Sequence, residues 1–486
     1  MTSGWLEDRV WMLLNDALAA YRDSPRAFRW LQHHAQRFEE PLRIAVAGPP
    51  QVGKSTLINA IVGEGIAPVE VDGGAEALVW YQDGAQPRAT LHSPHESVHD
   101  LTVTRLDRWL HVDSPTGAPE NVNEIVVDWP TRTLRHTILI DTPGAVAPGT
   151  AAPDGPSIMD RAAREADAML YLVRRAPGTE LNPLRMAPDT PVGRAAPVQT
   201  ILVLSRADEV GGGRIDGLLS AKQLARRHRR DVRMRGLCQN VVAVAGLIAE
   251  AGRTMREPQY AALAELAALD REGLDGLLLS TDRFLGASDT VQTLAVRQDL
   301  LNRLGLVGVR LATTLIRQGG TDLGALAGQL VRRSGLTELR ESISQLFVER
   351  RGLLKARSAL LALEFVLRAE PRPAATGLSA EVERTVAGAH EFRELRLMAA
   401  LRGGRIRLPS ELDTEAQRLI GMEGTDVSTR LAADEQATGA QLWALGSQAL
   451  DRWVEHAENP LLSHAQQGAA RTVVRSCEGI LAELAG

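Results

Sequence analysis

Strand and helix patterns alternate from about residue 41 to 255, helical patterns alone continue from about 256, and a glycine-framed turn follows the first apolar run. These three observations predict an α/β domain on a mixed, mainly parallel sheet, joined to an α-helical bundle or stalk. At 486 residues the chain can hold two or three domains with large cores.

Residues 1–40 read as helical. Trp5, Leu6, Val10, Leu13, Leu14, Leu18 and Tyr21 fall near helical spacing, and Phe28, Trp30, Leu31 and Phe38 follow Pro25 as a second helix. This segment is too short to bury its own apolar face, so it is expected to pack with the later bundle. Strands are expected at 43–47, 77–81, 123–129, 136–141, 167–173, 200–205 and 240–245. The runs Glu124–Trp129 and Thr137–Ile140, separated by Thr131-Arg132, read as a hairpin. Stretch 176–199 carries five prolines and reads as a loop inserted before the 200–205 strand. Helical period then runs through 258–317, 322–370, 379–402 and 410–484, broken at Gly319-Gly320, Pro371-Arg372-Pro373 and Gly403-Gly404. The expected division is 1–40, 41–255 and 256–486.

The chemistry concentrates at Gly48-Pro49-Pro50-Gln51-Val52-Gly53-Lys54-Ser55-Thr56, between the strand Ile44–Ala47 and a helix beginning near Leu57. Strand, glycine-containing turn and helix is the context of a phosphate-binding loop. Gly48 and Gly53 let the backbone curl so that its N–H groups converge on phosphate oxygens, aided by the positive end of the next helix. Lys54 is a compact cation for the β- and γ-phosphates, and the Ser55 hydroxyl is a ligand for Mg²⁺. Of 55 basic residues only Lys54, Lys222 and Lys355 are lysines, so a Lys here points to a need for a slim point charge. Asp141-Thr142-Pro143-Gly144 ends a strand and fits the Asp-x-x-Gly element of GTPases, with Asp141 reaching Mg²⁺ through water and the Gly144 N–H sensing the γ-phosphate. Ser205-Arg206-Ala207-Asp208 closes the 200–205 strand where such domains read guanine. Asp208 can accept the N1 and N2 hydrogens that adenine lacks, and the stem of Arg206 can cover the base. The expected cofactors are GTP or GDP with Mg²⁺.

The order of these elements, together with Leu204–Glu209, Val241–Leu247 and the helical second half, resembles the bacterial dynamin-like proteins, nearest to the actinobacterial isoniazid-inducible type, with relatives in sporulation septation. The resemblance covers most of 41–365. It implies a large GTPase with a helical stalk that reaches membrane lipid and works with a dynamin-like partner or a second copy, peripheral to the cell membrane on its cytoplasmic side. It also implies a Thr in the switch I segment, aligned with Ala75 here, and no Ser or Thr lies between Thr56 and Thr90. Asp72 and Glu76 are the polar residues near that position, but a carboxylate beside the γ-phosphate adds unfavourable charge. Gln51 stands where dynamins place a stabilising polar group, and Ala145 follows Gly144 where a Gln would otherwise serve. Binding groups are present and a hydrolytic one is missing, so weak intrinsic GTPase activity is expected.

Arg303, Arg310 and Arg317 recur every seven residues before Gly319-Gly320 and Leu323, Leu326 and Leu330. The pattern reads either as an anionic-lipid-facing tip near 317–332 or as a solvated stripe beside a tight turn. Other features narrow the class. A net charge of −5 and 4% aromatic residues give no case for nucleic-acid binding. Cys238 and Cys477 form no ligand pattern and fit a reducing cytoplasm. No signal-peptide layout and no membrane-spanning apolar run are present. Two other readings stay open: a hydrolysis-impaired scaffold for an active dynamin-like GTPase, and a soluble GTPase of ribosome assembly.

Overall fold

The computed structural model describes residues 5–68, 77–93, 98–106, 109–113, 122–143, 158–174, 181–182, 184, 199–211, 216–234, 237–287, 292–320, 322–434 and 436–485. Asp72, Ala75, Glu76, Gly144, Ala145 and nearly all of the 176–199 stretch lie outside the described residues.

A ten-stranded sheet forms the α/β half, in the order β10-β9-β8-β1-β7-β2-β6-β3-β4-β5. The strands are β1 (Leu42–Ala47), β2 (Leu78–Asp83), β3 (Arg88–His92), β4 (Val98–Leu106) and β5 (Trp109–Asp113). They continue with β6 (Glu124–Trp129), β7 (Thr137–Asp141), β8 (Ala168–Val173), β9 (Thr200–Leu204) and β10 (Asn240–Ala243). β1 pairs in parallel with β7 and β8, as do β8 with β9 and β9 with β10. Their unbroken apolar runs are buried along their whole length, as a sheet covered on both faces requires.

The expected hairpin between β6 and β7 is not formed. β2 inserts between them, parallel to β6 and antiparallel to β7, with Val79 opposite Asp141. The connection through the 3₁₀ turn Arg132–Leu134 spans the width of the intervening strand, roughly 9–10 Å at normal strand spacing. Leu78, Trp80 and Tyr81 are apolar on both faces and fill that buried slot. β3, β4 and β5 extend the sheet as an antiparallel edge that the sequence reading did not anticipate.

Helices α1 (Trp5–Ala20), α2 (Pro25–Glu39), α3 (Lys54–Val62), α4 (Ile158–Glu165), α5 (Gly217–Arg230) and α6 (Gly246–Thr254) precede or interleave with the strands. Then come α7 (Glu257–Ala268), α8 (Arg271–Leu277), α9 (Thr281–Gly286), α10 (Leu294–Arg317), α11 (Leu323–Arg333), α12 (Leu336–Ile343) and α13 (Arg351–Ala369). The chain continues through α14 (Thr376–Gly388), α15 (His390–Arg402), α16 (Ser410–Leu419), α17 (Val427–Leu431), α18 (Gly439–Glu458) and α19 (His464–Ala485).

Alternation along β1 sorts these helices into cores. Ala45 and Ala47 point toward α6, α7, α10 and α11, whose Ile248, Leu263, Leu304 and Leu330 share their cluster. Ile44 and Val46 point the other way, to Leu57, Ile58 and Ile61 of α3 and Leu336 and Leu339 of α12. A third core joins α1 and α2 to α13–α19 around Tyr21, Leu360, Phe392 and Trp453. The N-terminal helices thus bury their apolar faces only by meeting residues more than 300 positions later, among them Leu360 and Phe392.

The arginines at 303, 310 and 317 do not form the single helix stripe that their spacing suggests. Gly305 (φ 65°) breaks α10, so the three do not share one continuous helix face. Arg303 pairs with Asp299 at 2.7 Å. Arg310 donates to the Leu278 carbonyl at the end of α8, and Arg317 to the Ala267 and Leu269 carbonyls at the end of α7. These arginines cap helix C-termini, where cations are favoured. Within 317–332, Leu326 and Leu330 are buried against α6, while Arg317, Gln318, Gly319 and Arg332 are exposed.

Where the α/β half meets the bundle, the contact is ionic. The buried Asp167 accepts from Arg37 of α2 at 2.9 Å and from the Arg43 backbone N–H at 3.1 Å. Lys355 of α13 stands 3.9 Å from the same carboxylate and donates to the Arg37 carbonyl. Glu165 of α4 takes Arg43 at 2.7 Å and His33 at 3.2 Å.

Candidate nucleotide-binding site

The site lies at the carboxyl ends of β1, β7, β9 and β10, where open parallel sheets bind ligands. At the start of the loop, Gly48 has φ 147°, and a Cβ there would sit 2.4 Å from the Leu172 carbonyl oxygen. Only glycine tolerates that approach. Gly53 (φ 97°) is the left-handed N-cap of α3. Gln51 also has a positive φ of 56°, an uncommon conformation for a residue with a side chain. Its carbonyl is turned outward and accepts from two guanidiniums, Arg174 and Arg206, each at 2.9 Å.

Lys54 is buried and folds back to donate to the loop carbonyls of Gly48 (3.2 Å) and Pro49 (3.1 Å). Burial lowers its pKa, and the nearby Asp141 opposes that fall. Ser55 donates its hydroxyl to Asp141 Oδ2 at 2.9 Å. Burial pushes the Asp141 carboxyl up to about 6, despite the Ser55 hydrogen bond and the Lys54 charge. Its Oδ1 is buried with no hydrogen-bond partner among the described residues. A buried carboxylate with an unused oxygen beside a hydroxyl is a donor pair suited to a hard divalent cation. Among the described residues no group of three His, Cys, Asp or Glu comes together. A cation held here would therefore take its remaining oxygens from nucleotide phosphates and water.

The guanine-side element is fixed by backbone bonds. Ser205 donates its N–H and hydroxyl to the Val173 carbonyl at 2.9 and 3.2 Å, and Ala207 N–H donates to the Val244 carbonyl at 3.2 Å. Arg206 adopts φ 50° and pairs with Glu209 at 2.7 Å. Burial raises the pKa of Asp208. Asp208 and Arg206 line one cavity with Gly53 and Thr56 of the phosphate loop. Gly48, Gln51, Gly53, Lys54, Ser55, Thr56, Asp141, Arg206 and Asp208 are thus gathered at one end of the sheet, while Gly144 lies outside the described residues.

Two contributors had not been singled out for this site. Val244, Gly246 and Leu247 complete the cavity wall, and a Cβ on Gly246 would meet Thr56 Cγ2 at 3.4 Å. A small residue directly after a buried strand was the available signal. Arg174 follows β8 with no sequence feature to mark it.

Comparisons with known proteins agree with this geometry. The Dynamin family profile matches residues 44–177. The isoniazid-induced protein IniC of Mycobacterium tuberculosis, in strains CDC 1551 / Oshkosh and ATCC 25618 / H37Rv, is 33% identical over 486 residues, covering 98% of each chain. A solved structure of an oligomerised bacterial dynamin pair, described for long-range sensing and tethering of membranes, overlays with a TM-score of 0.29 at 14% identity, covering 85% of this chain and 77% of that one. That overlay is too loose to argue from. The full-length sequence match, with its phosphate loop at the carboxyl edge of a mainly parallel sheet, places this chain in the dynamin family as a bacterial dynamin-like protein.

Proposed function

We propose that the chain binds Mg²⁺-GTP in this cavity, hydrolyses it slowly by itself, and serves a membrane-remodelling process, such as division or sporulation septation, with a dynamin-like partner or a second copy. The carrying observation is that Asp208 and the phosphate-loop residues Gly53 and Thr56 line one cavity. In this reading the N–H groups of the loop and the N-terminus of α3 bind the phosphates, Lys54 swings from the Gly48 and Pro49 carbonyls to the β- and γ-phosphates, and Asp208 selects guanine. Ser55 and Asp141 would hold the magnesium ion, which supplies charge neutralisation across the transferred phosphoryl group. Gly144 and Gln51 remain candidates for sensing and stabilising the γ-phosphate.

Slow turnover rests on the sequence: with Ala75 at the switch I position, no hydroxyl is available there to position the attacking water. That loss costs roughly a hundredfold or more in rate. The division into 1–40, 41–255 and 256–486 stays part of the proposal, with the α1–α2 and α13–α19 core as the stalk-like unit. No described helix is long and apolar enough to cross a membrane. For peripheral contact we keep the segment near 317–332, where Arg317 and Arg332 are exposed.

One titration of fluorescent GTP and ATP analogues, followed by turnover on the same sample, tests the reading. Equal affinities overturn guanine selectivity. Fast turnover by the isolated chain overturns the role given to Ala75, whereas tight binding with no turnover even beside a partner favours the scaffold reading. Co-sedimentation with anionic liposomes, weakened in Arg317→Glu, tests the membrane contact.

A further inference from the structure

On the far side of the Arg37–Asp167 junction lies a cavity of about 470 Å³ between α2, α4 and α13, within the size range of small-molecule sites. Its floor is aromatic. Trp30 and Phe365 meet with ring centroids 5.5 Å apart, and Phe365 is 49% exposed although it is large and apolar. The Trp30 indole N–H is buried, with no hydrogen-bond partner among the described residues, so only the apolar part of the ring is open to the cavity.

The rim is cationic. Arg26 and Arg29 come from α2, and Arg164 from α4. Arg29 uses its Nε on the Pro25 carbonyl at 3.1 Å, which leaves both terminal nitrogens. None of the three forms an ion pair with a carboxylate among the described residues. The acidic groups nearby are already engaged: Glu370 by Ser24 and Arg372, Glu165 by Arg43 and His33. The neighbouring His34 is held neutral, its pKa pushed down to about 3 by burial. The cavity therefore combines an apolar floor with excess positive charge at the mouth.

We infer that this cavity is a binding site for an amphiphilic anion, a single carboxylate, sulfonate or phosphate carried on an apolar body. The apolar body would cover Phe365 and Trp30, and the head group would meet the guanidiniums of Arg26, Arg29 and Arg164. Because α4 belongs to the sheet layer while α2 and α13 belong to the third core, such a ligand would bridge the two halves beside their ionic contact.

The test uses the full chain and laurate, kept below its micelle concentration, by titration calorimetry, with dodecanol as the uncharged control. Saturable one-to-one laurate binding that dodecanol does not reproduce is expected. It should fall about tenfold or more in Arg26→Glu/Arg164→Glu and weaken with added salt. Phe365→Asp should weaken it by a similar factor. Both changes are at exposed positions, and an unchanged thermal midpoint without ligand confirms the fold. A second arm sediments the same proteins with phosphatidylglycerol or phosphatidylcholine vesicles. Laurate binding lost in the variants with vesicle binding unchanged supports a site for free amphiphiles. Loss of both supports one filled from the bilayer. No saturable laurate binding by the wild type, or equal binding by all variants, overturns the inference.

Discussion

Two buried carboxylates in this molecule meet opposite fates. In the third core Glu394 of α15 is held down to about 2: burial would raise it, but His390, Arg430 at 2.8 Å and Ser476 at 2.7 Å more than compensate. At the end of β7, Asp141 is as deeply buried, yet it is pushed up to about 6 because one hydroxyl and one lysine do not offset its desolvation. Burial is common to both and the partners differ. Around Glu394 the bundle supplies enough donors to satisfy the charge. The candidate nucleotide site leaves Asp141 Oδ1 without a hydrogen-bond partner among the described residues and keeps Lys54 on borrowed backbone carbonyls, as a site prepared for a guest would.

That contrast can be broken from either side. The largest effect is expected in the bundle: Glu394→Leu removes the buried carboxylate shared by His390, Ser476 and the half-buried Arg430 and should cost about 3 kcal/mol of unfolding free energy by urea titration. A loss below about 1 kcal/mol would show that the network contributes little. Lys54→Ala should weaken triphosphate binding by about a hundredfold or more, roughly 2.7 kcal/mol, while leaving unfolding nearly unchanged. Normal GTP binding by this variant in calorimetry sinks the phosphate-loop assignment.

Asp141→Asn should do the reverse of the Glu394 change. It should raise the stability of the nucleotide-free protein at pH 8 by about 2 kcal/mol while removing the Mg²⁺ dependence of GTP affinity. The pH dependence follows from the same asymmetry. A folded-state pKa of about 6, above the ordinary 3.8, gives Asp141 a contribution that is full below pH 3.8 and lost as pH rises through 6. A folded-state pKa of about 2, below the ordinary 4.5, gives Glu394 one that is full above pH 4.5 and lost as pH falls toward 2. Thermal midpoints across pH 4–8 should therefore lose their decline in Asp141→Asn and keep it in Glu394→Leu. The smallest effect concerns selectivity: Asp208→Asn should narrow the preference for GTP over ATP by about tenfold, from the loss of a two-hydrogen-bond acceptor. Competition binding with both nucleotides measures it, and an unchanged ratio means that another group reads the base.

Local signals made much of the site legible. Gly48, Gly53, Lys54 and Ser55 sit within one strand-turn-helix unit, so their spacing alone fixes their relative geometry. Asp141 and Asp208 each end a continuous apolar strand, and parallel strands in one sheet bring such ends to one edge. The antiparallel edge was harder to read, because β3 and β4 interleave Arg88, His92, His99, Asp100 and Arg105 with their apolar residues. The hairpin expectation failed for a different cause. Adjacency in sequence favoured pairing β6 with β7, but the apolar faces of β2 needed a covered slot that only the interior of the sheet supplies.

The sequence by itself therefore determined the helices, the parallel strands and the turn that carries Gly48, Gly53, Lys54 and Ser55, since period, glycine placement and strand ends are local properties. Tertiary structure decided what depends on remote partners. It brought Arg174 and Arg206 onto the Gln51 carbonyl, set Arg310 and Arg317 against the carbonyl ends of neighbouring helices, and placed α1 and α2 against helices from the far end of the chain. It also divided Glu394 from Asp141, because a pKa is fixed by what surrounds a carboxylate and not by its neighbours in sequence.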